Sequence, residues 1–569
     1  MKRPPRLYPG PQIGSLQDLL LKSAARYADK IALEDLKDTP LPRVSYTSLL
    51  KNVLKFGTAL RSLGLPERSH IAVIGENRVQ WGVTYLTAMA FNYVIVPVDA
   101  KLTQNEILNI LHESDASAVV FTDTYEQLFR DERHALKHLK FFISMDLLTA
   151  RDGVHSMIEM INVSRGCTPD ALPRIDPTAL AAILFTSGTV GRAKGVMLSQ
   201  QNIAANIVAM SSMLKVYPED RFLSVLPIHH TYECTCGFLC PLYNGASAHY
   251  ARSLKTVVDD LKQVKATMLL AVPLLYDKMF RRIYQAIREE KVKSIIVPPL
   301  IKLTDIAARF GWKSSKKTVF REVHEKFGGH IRLFIAGGAA PDPMVAKGLR
   351  DLGFAFVQGY GLTETSPILA LNQLDNFKDE AAGLPLPGVE LKISAPDADG
   401  TGEVWAKGPN VMHGFYKNEK QTAEVFEEGW FKTGDLGFID NDGFLHIRGR
   451  KKNVIISRSG KNVFPEEIED LLNRSPYIQE SLVYGEDDPK LDEIIAAQIV
   501  VDAEAFIELA ESRGIKLTDE LVQEVIADEV KKANAELAAF KQVKRFNVRE
   551  QEFEKTTTQK IKRYLALPK

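Results

Sequence analysis

At 569 residues the chain exceeds what one hydrophobic core holds, so two or more domains are expected. Its 45% apolar and 25% charged residues are those of an ordinary globular protein, and four cysteines in this length make no disulfide framework. A formal net charge of +1 gives no global attraction to nucleic acid or anionic membrane, so any such contact is local. Met1-Lys2-Arg3-Pro4-Pro5 is followed by no apolar signal core, and the mostly apolar residues 81–98 are interrupted at Asn92 and Pro97. Neither a secretory signal nor a membrane span of roughly 20 residues is expected, and the expected compartment is the reducing cytoplasm.

Through the first two-thirds, helical patterns alternate with short β-branched runs, the signature of α/β layering. Strands are predicted at 71–75, 93–98 and 118–122, then at 222–227, 268–273 and 333–338, each ending in Pro, Gly or a polar turn. After about Glu380 short strands and Gly-rich turns take over, at 403–408, 430–435 and 443–448, predicting a meander or small barrel. A basic break, Arg450-Lys451-Lys452-Asn453, precedes a new α+β segment with a strand at 480–484 and a charged helix around 521–540. The expected fold class is therefore α/β. A large N-terminal domain of layered sheets plus the small barrel, residues 1–450, is followed by a small α+β domain, residues 451–569.

The apolar run at 180–185 reads as a buried strand. It leads into Thr186-Ser187-Gly188-Thr189-Val190-Gly191-Arg192-Ala193-Lys194-Gly195, with three glycines, three hydroxyl residues and one lysine in ten positions. Glycines let backbone N–H groups close on phosphate oxygens, hydroxyls add donors, and the lysine supplies a point charge. A Walker loop is excluded, since it would need Gly at Ala193 and Ser or Thr at Gly195. A second motif is Gly359-Tyr360-Gly361-Leu362-Thr363-Glu364-Thr365. It offers tight turns, a flat ring for a base at Tyr360, a hydroxyl for phosphate at Thr363, and at Glu364 a carboxylate suited to Mg²⁺. Thr433-Gly434-Asp435 sets a carboxylate at a Gly turn, and Lys560 stands near the C-terminus. Alone, each motif is an ordinary turn or a solvated tail; their order along the chain gives them weight.

In order and spacing the four motifs resemble the adenylate-forming superfamily, which includes acyl-CoA synthetases, firefly luciferase and the adenylation domains of peptide synthetases. The likeness covers residues 15–562. It is greatest to bacterial long-chain fatty acid CoA ligases, on Leu226-Pro227-Ile228-His229-His230-Thr231-Tyr232-Glu233, on Val357-Gln358 leading into the second motif, on Gly460-Lys461-Asn462-Val463-Phe464-Pro465, and on Gln559-Lys560-Ile561-Lys562-Arg563. Two positions depart from that pattern. The family loop usually has Pro where this chain has Ala193, and often has Gly where it has Gln559. Neither change removes a chemical group.

The resemblance implies ATP-dependent conversion of a long-chain fatty acid to its acyl-adenylate, then transfer to coenzyme A with release of AMP and pyrophosphate. By that likeness Thr186, Ser187, Gly188, Thr189, Gly191 and Lys194 hold the β- and γ-phosphates. Gly338, Ala339 and Tyr360 line the adenine slot, in a nucleotide site that includes Gln358, Gly359 and Gly361. Thr363 touches the α-phosphate, Glu364 holds Mg²⁺, and Asp435 and Arg450 take the ribose. His230 stands near the acyl carboxylate, and Lys560 bridges that carboxylate and the α-phosphate. Lys452 is the implied hinge about which the C-terminal domain rotates between steps. Fatty acid and coenzyme A are the expected partners, nucleic acid is not, and the sequence assigns no oligomeric state. Two alternatives are a ligase that delivers the acyl group to a carrier protein and a nucleotide-binding regulator without turnover. Lys194, Glu364, Asp435 and Lys560 together speak against the regulator.

His229, His230, Cys234, Cys236 and Cys240 invite a zinc reading. The spacing C-x-C-x₃-C is not a usual structural knuckle, so the cysteines are expected as packing residues. Residues 281–321 are richly basic around an apolar centre at 294–301. A solvated helix pair with a loop is expected there, and contact with an anionic membrane, at its inner face, is the sharper alternative. No G-x-S-x-G elbow supports an ester hydrolase.

Overall fold

The computed structural model describes residues 5–186, 193–310, 312, 314–456, 460–488, 492–556 and 560–567. Ser187, Gly188, Thr189 and Gly191 of the phosphate loop lie outside the described residues, as does Gln559. The chain divides into two compact units. The first is Met1–Leu391, Ala406–Phe431 and Asn441–Leu445, and the second is Lys392–Trp405, Lys432–Asp440 and His446–Lys569. The boundary expected at 450/451 lies five residues past the last of these breaks.

The first unit carries two large sheets. One runs in the order Gly414–Phe415, Lys194–Ser199, Leu180–Thr186, Val94–Val98, His70–Ile74, Ala116–Phe121, Phe141–Ser144, His155–Ser156. Its centre is parallel, with Ile71 paired to Ile95 on one side and to Ala118 on the other. Parallel strands are covered on both faces, which explains their unbroken Val, Ile and Ala composition. Helix Val79–Ala90 is buried at every residue and is accordingly mostly apolar, with Gln80, Thr84 and Thr87 as its polar positions. The stretch 81–98 is therefore interior helix followed by strand. Among the described residues no helix is long and apolar enough to cross a membrane.

The other sheet runs Leu384–Pro385, Ile368–Leu371, Ala355–Gly361, Leu333–Ala336, Met268–Ala271, Arg221–Ser224, Ser247–Tyr250, Ile31–Asp35, Arg43–Ser45. The strands predicted at 222–227, 268–273 and 333–338 belong to it, and each stops before its Pro or Gly turn. Side chains alternate across this sheet. Leu269, Ala271 and Phe334 enter a core with Tyr276 and Met279 of helix Pro273–Glu289, while Met268, Leu270 and Ile335 enter the larger core on the other face. Helix Lys291–Arg309 follows, and the apolar centre 294–301 lies within it, Pro298 and Pro299 included.

The short strands after Glu380 form a five-stranded sheet of Glu390–Ser394, Gly402–Lys407, Trp430–Ile439 and Phe426–Glu427, with Leu445–Arg450 added to Trp430–Ile439. The C-terminal part of the second unit has a sheet of Ile478–Asp488, Asp492–Val501 and Arg545–Arg549. The charged helix is Asp519–Ala535, capped by the Thr518 hydroxyl, which accepts from the Leu521 N–H. Its stripe of Leu521, Val525, Ile526, Val530 and Ala533 packs into this part's own core.

Candidate active site

Strands Leu180–Thr186 and Lys194–Ser199 run antiparallel with Thr186 opposite Lys194, so the described ends of the glycine-rich loop meet. A Walker loop leads from a strand into a helix; this one returns as a strand. The Lys194 ammonium lies 5.4 Å from the Phe415 ring centroid. The Gly195 carbonyl accepts from Tyr416 N–H at 2.7 Å, and a Cβ at Gly195 would come within 2.8 Å of Ile183. Glycine is required here by close packing.

The second motif closes strand Ala355–Gly361, which is parallel to Leu333–Ala336 with Ala336 opposite Gln358. Gly338 and Ala339, just past the end of the neighbouring strand, are exposed, and Gly338 has φ 87°. The motif thus sits at the carboxyl ends of parallel strands, where α/β sheets bind ligands. A Cβ on Gly361 would fall 1.8 Å from the Pro367 carbonyl oxygen, so only glycine fits. Thr363 and Glu364 occupy a half-buried 3₁₀ turn, and the Glu364 carbonyl accepts from Met412 N–H at 2.8 Å. The Gln358 amide donates to the Asp379 and Ala381 carbonyls, bracing the strand from behind.

Three asparagines that sequence reasoning missed hold this turn. Asn206 donates to Ile368 O at 2.7 Å and Asn410 to Thr365 O at 2.9 Å, while Asn202 reaches the Pro409 and Val411 carbonyls at 2.7 and 3.0 Å. Asn202 and Asn206 are four apart on helix Gln200–Met213, and both are buried. The helix carries Gln200, Gln201, Ser211 and Ser212 as well, so nothing in its local pattern set these two apart.

Between the nine-stranded sheet and this helix lies a pocket lined by Met210, Leu214, Val216, Phe222, Tyr232, Cys236, Cys240, Met268, Leu270, Ile335, Ala336, Gly359, Ile368 and Leu371. Its lining is almost wholly apolar, as the walls of small-molecule sites are. Tyr232 turns its hydroxyl away to donate to Ile335 O at 3.1 Å. Ala336, two residues before Gly338, and Gly359, beside Tyr360, both form part of the pocket wall.

The segment before the pocket is fixed by Asn77, which accepts from Ile228 N–H at 2.9 Å and donates to Ser224 and to Leu226 O. His229 Nε2 lies 3.4 Å from Asp99, and the His229 and His230 rings are 4.2 Å apart. Asp99, His229 and His230 offer donor atoms within 4.8 Å of one another. The cysteines are not part of that group. Cys234, Cys236 and Cys240 are buried in the core, Cys236 beside Met210, and burial pushes the Cys240 thiol up to about 11. Tyr232–Leu239 is π-helical, a rare form frequent at functional sites. Within it, burial pushes the Glu233 carboxyl up to about 8, and a Cβ on Gly237 would meet Glu233 Oε1 at 2.4 Å.

In the second unit Asp435 and Arg450 are brought together. Arg450 Nε is 2.7 Å from the buried Asp435 carboxylate, and Gly434 has φ 72°. Thr433 accepts from Asp435 N–H at 3.1 Å and donates to Val404 O. Lys452 is exposed in the 3₁₀ turn Lys451–Asn453, and its neighbour Lys451 pairs with Glu403 at 3.0 Å. Lys560 is exposed beside an antiparallel Lys555–Ile561 bridge, with Thr556 N–H donating to Lys560 O at 2.8 Å. Arg563 anchors that segment through Glu469 and Val483 O. Burial raises the Glu469 carboxyl to about 7, with Arg563 pulling it back.

An apolar pocket against one face of the nine-stranded sheet, with glycine turns following two of its parallel strands, defines the architecture of an α/β protein with a ligand site at a sheet face. Residues 20–416 match the family model for AMP-binding enzymes and residues 467–560 the model for the C-terminal domain of those enzymes, so the chain belongs to the AMP-binding enzyme family. It is 28% identical over 556 residues to long-chain-fatty-acid–CoA ligase FadD15 of Mycobacterium tuberculosis, covering 90% of this chain and 88% of that one. It is also 28% identical over 554 residues to the chloroplastic long-chain-fatty-acid–[acyl-carrier-protein] ligase AEE15 of Arabidopsis thaliana, covering 84% and 76%. The crystal structure of the anthranilate CoA ligase AuaEII with anthranoyl-AMP shares the fold, with a TM-score of 0.77 over 99% of this chain and 97% of that one at 19% identity.

Proposed function

We propose that this chain activates long-chain fatty acids with ATP and passes them to coenzyme A. A carboxylate is a poor acylating agent because its leaving group would be oxide; adenylation replaces oxide with AMP, a stable phosphate monoester. A carboxylate oxygen attacks the α-phosphorus of ATP as the bond to pyrophosphate breaks. The thiolate of coenzyme A then attacks the acyl carbonyl, the carbon–oxygen bond to phosphate breaks, and AMP leaves. The observation that carries this reading is the apolar pocket, whose wall residues Ala336 and Gly359 run directly into Gly338 and Tyr360. A hydrocarbon tail held there presents its carboxylate to the nucleotide rather than to bulk water.

Catalysis of such a step rests on positioning and electrostatics. Thr186 and Lys194, with Ser187, Gly188, Thr189 and Gly191, grip the β- and γ-phosphates, and Thr363 touches the α-phosphate. Gly338, Ala339 and Tyr360 take the adenine, supported by Gln358, Gly359 and Gly361, while Asp435 and Arg450 take the ribose. The half-buried Glu364 carboxylate, on a turn fixed by Met412, suits a magnesium ion. When bound, that ion screens charge on the phosphate oxygens. His230 orients the acyl carboxylate, and Lys560 neutralises charge on the attacking and receiving oxygens. Residues 451–569 rotate about Lys452 between the two steps, withdrawing Lys560 and admitting the thiol. The four unpaired thiols fit a cytoplasmic site.

Pyrophosphate release across acids of graded length, with and without coenzyme A, tests the proposal. Acyl-CoA should form from long-chain acids. Pyrophosphate release without thioester, relieved by a carrier protein, would instead assign the acceptor of AEE15 to this chain. Lys560→Ala should abolish adenylation yet still convert supplied acyl-AMP to thioester; loss of both reactions contradicts the two-step domain rotation.

A further inference from the structure

Helix Lys291–Arg309 presents an apolar face to solvent. Ile295 is 74% exposed, Leu303 60%, Ile306 51% and Phe310 89%, and Trp312 just beyond is 54% exposed. At about 100° per residue these helical positions fall within one stripe of roughly 80°. The opposite face is already used, since Val297, Leu300 and Ile301 pack against the core around Tyr276 and Met279. Lys302 and Arg309 stand along one edge of the stripe, and both are exposed. Residues 281–321 hold eleven Lys and Arg against three Asp and Glu, a net charge of +8 in a chain whose total is +1. Stripes of this size on a soluble surface mark interaction sites.

We propose that this helix docks the protein on an anionic phospholipid bilayer, lying in the headgroup plane with Phe310 and Trp312 inserted. Apolar residues on one face, flanked by Lys and Arg, are what an interfacial helix requires, and a helix with a packed inner face lies on a membrane without crossing it. Charge decides between occupants. A lipid surface of negative sign is attracted by the +8 region, whereas a second copy meeting face to face brings the same excess positive charge against it. The docked helix packs on the opposite side of strands Met268–Ala271 and Leu333–Ala336 from the apolar pocket, so the pocket is one sheet thickness from the surface in which its acids dissolve.

Co-sedimentation of the full chain with phosphatidylglycerol-containing vesicles, against pure phosphatidylcholine vesicles, tests this. Wild type should bind the anionic vesicles selectively and release them at high salt. Phe310→Glu combined with Ile306→Glu should lower partitioning at least about tenfold, and neutralising Lys302 and Arg309 to Gln about fivefold per cation. Both variants should keep wild-type thermal unfolding and wild-type activity on a short, water-soluble acid. Absent or unselective wild-type binding, or unchanged binding by the folded variants, overturns the proposal. So does a dimer in solution that Phe310→Glu dissociates, because the stripe would then be a protein interface.

Discussion

Replacing Glu233 by Gln should remove a specific slope from the pH dependence of stability. Burial sets this carboxyl at about 8 in the folded chain, against an ordinary value of 4.5. Between those values the folded chain keeps a proton that the unfolded chain has released. Its contribution is therefore fully present below the unfolded value and is lost as pH rises, at about 1.4 kcal/mol per unit, until the folded value is passed. From about pH 5.5 to about pH 7.5 the loss is about 2.7 kcal/mol, large beside the 5–15 kcal/mol that holds typical folded proteins together. Glutamine is neutral throughout and similar in shape. Urea unfolding at a series of pH values, scored as wild type minus variant, cancels the groups common to both chains. The difference should drift in the variant's favour by about that amount as pH rises. A difference that stays flat over the range would mean that Glu233 is ionised or solvated, and the reasoning from burial fails.

Gly361→Ala drives a Cβ to 1.8 Å from a backbone oxygen, so a destabilisation of about 3 kcal/mol or more should appear as a lowered thermal midpoint; an unshifted midpoint refutes the packing argument. Cys236→Phe should move kcat/KM toward shorter acids, because the ring enters the pocket, and an unchanged chain-length profile would mean that the tail binds elsewhere. Asn206→Ala strips one of two donors from Ile368 O and should cost about 1–3 kcal/mol in unfolding experiments, with no cost if Asn410 alone suffices. Arg563→Leu frees the segment around Lys560 from Glu469, and should slow adenylation while sparing thioester formation from acyl-AMP. Equal loss of both activities would point to general unfolding of the second unit.

The parallel strands were legible because being covered on both faces leaves an unmistakable apolar run between Pro and Gly turns. The partners of the site were not. Asn202, Asn206 and Asn410 act through carbonyls more than 40 residues away in sequence, and nothing local to an asparagine announces a distant acceptor. Asp99 closes on His229 from the end of strand Val94–Val98 for the same reason: tertiary folding sets the pair, and spacing carries no trace of it. The glycine-rich loop announced phosphate chemistry by composition, yet its return as a strand follows from Gly195 packing on Ile183 and Tyr416. For the apolar centre at 294–301 composition names no face; helical geometry turns Ile295 and Ile296 outward and Val297, Leu300 and Ile301 onto the core.

Asn206 and Met210 are one helical turn apart on helix Gln200–Met213, and they do different work. Met210 forms wall for the apolar pocket, while Asn206 holds the carbonyls beside the Glu364 turn. With the acid's tail in this pocket, as proposed, one helix would touch the tail at one point and support the phosphate-side turn at another. A tail that fills the pocket squarely would then steady that turn, and one that fits badly would disturb it. Chain-length preference in such a device registers in kcat as much as in KM, because remote binding energy is spent on alignment at the bond being made.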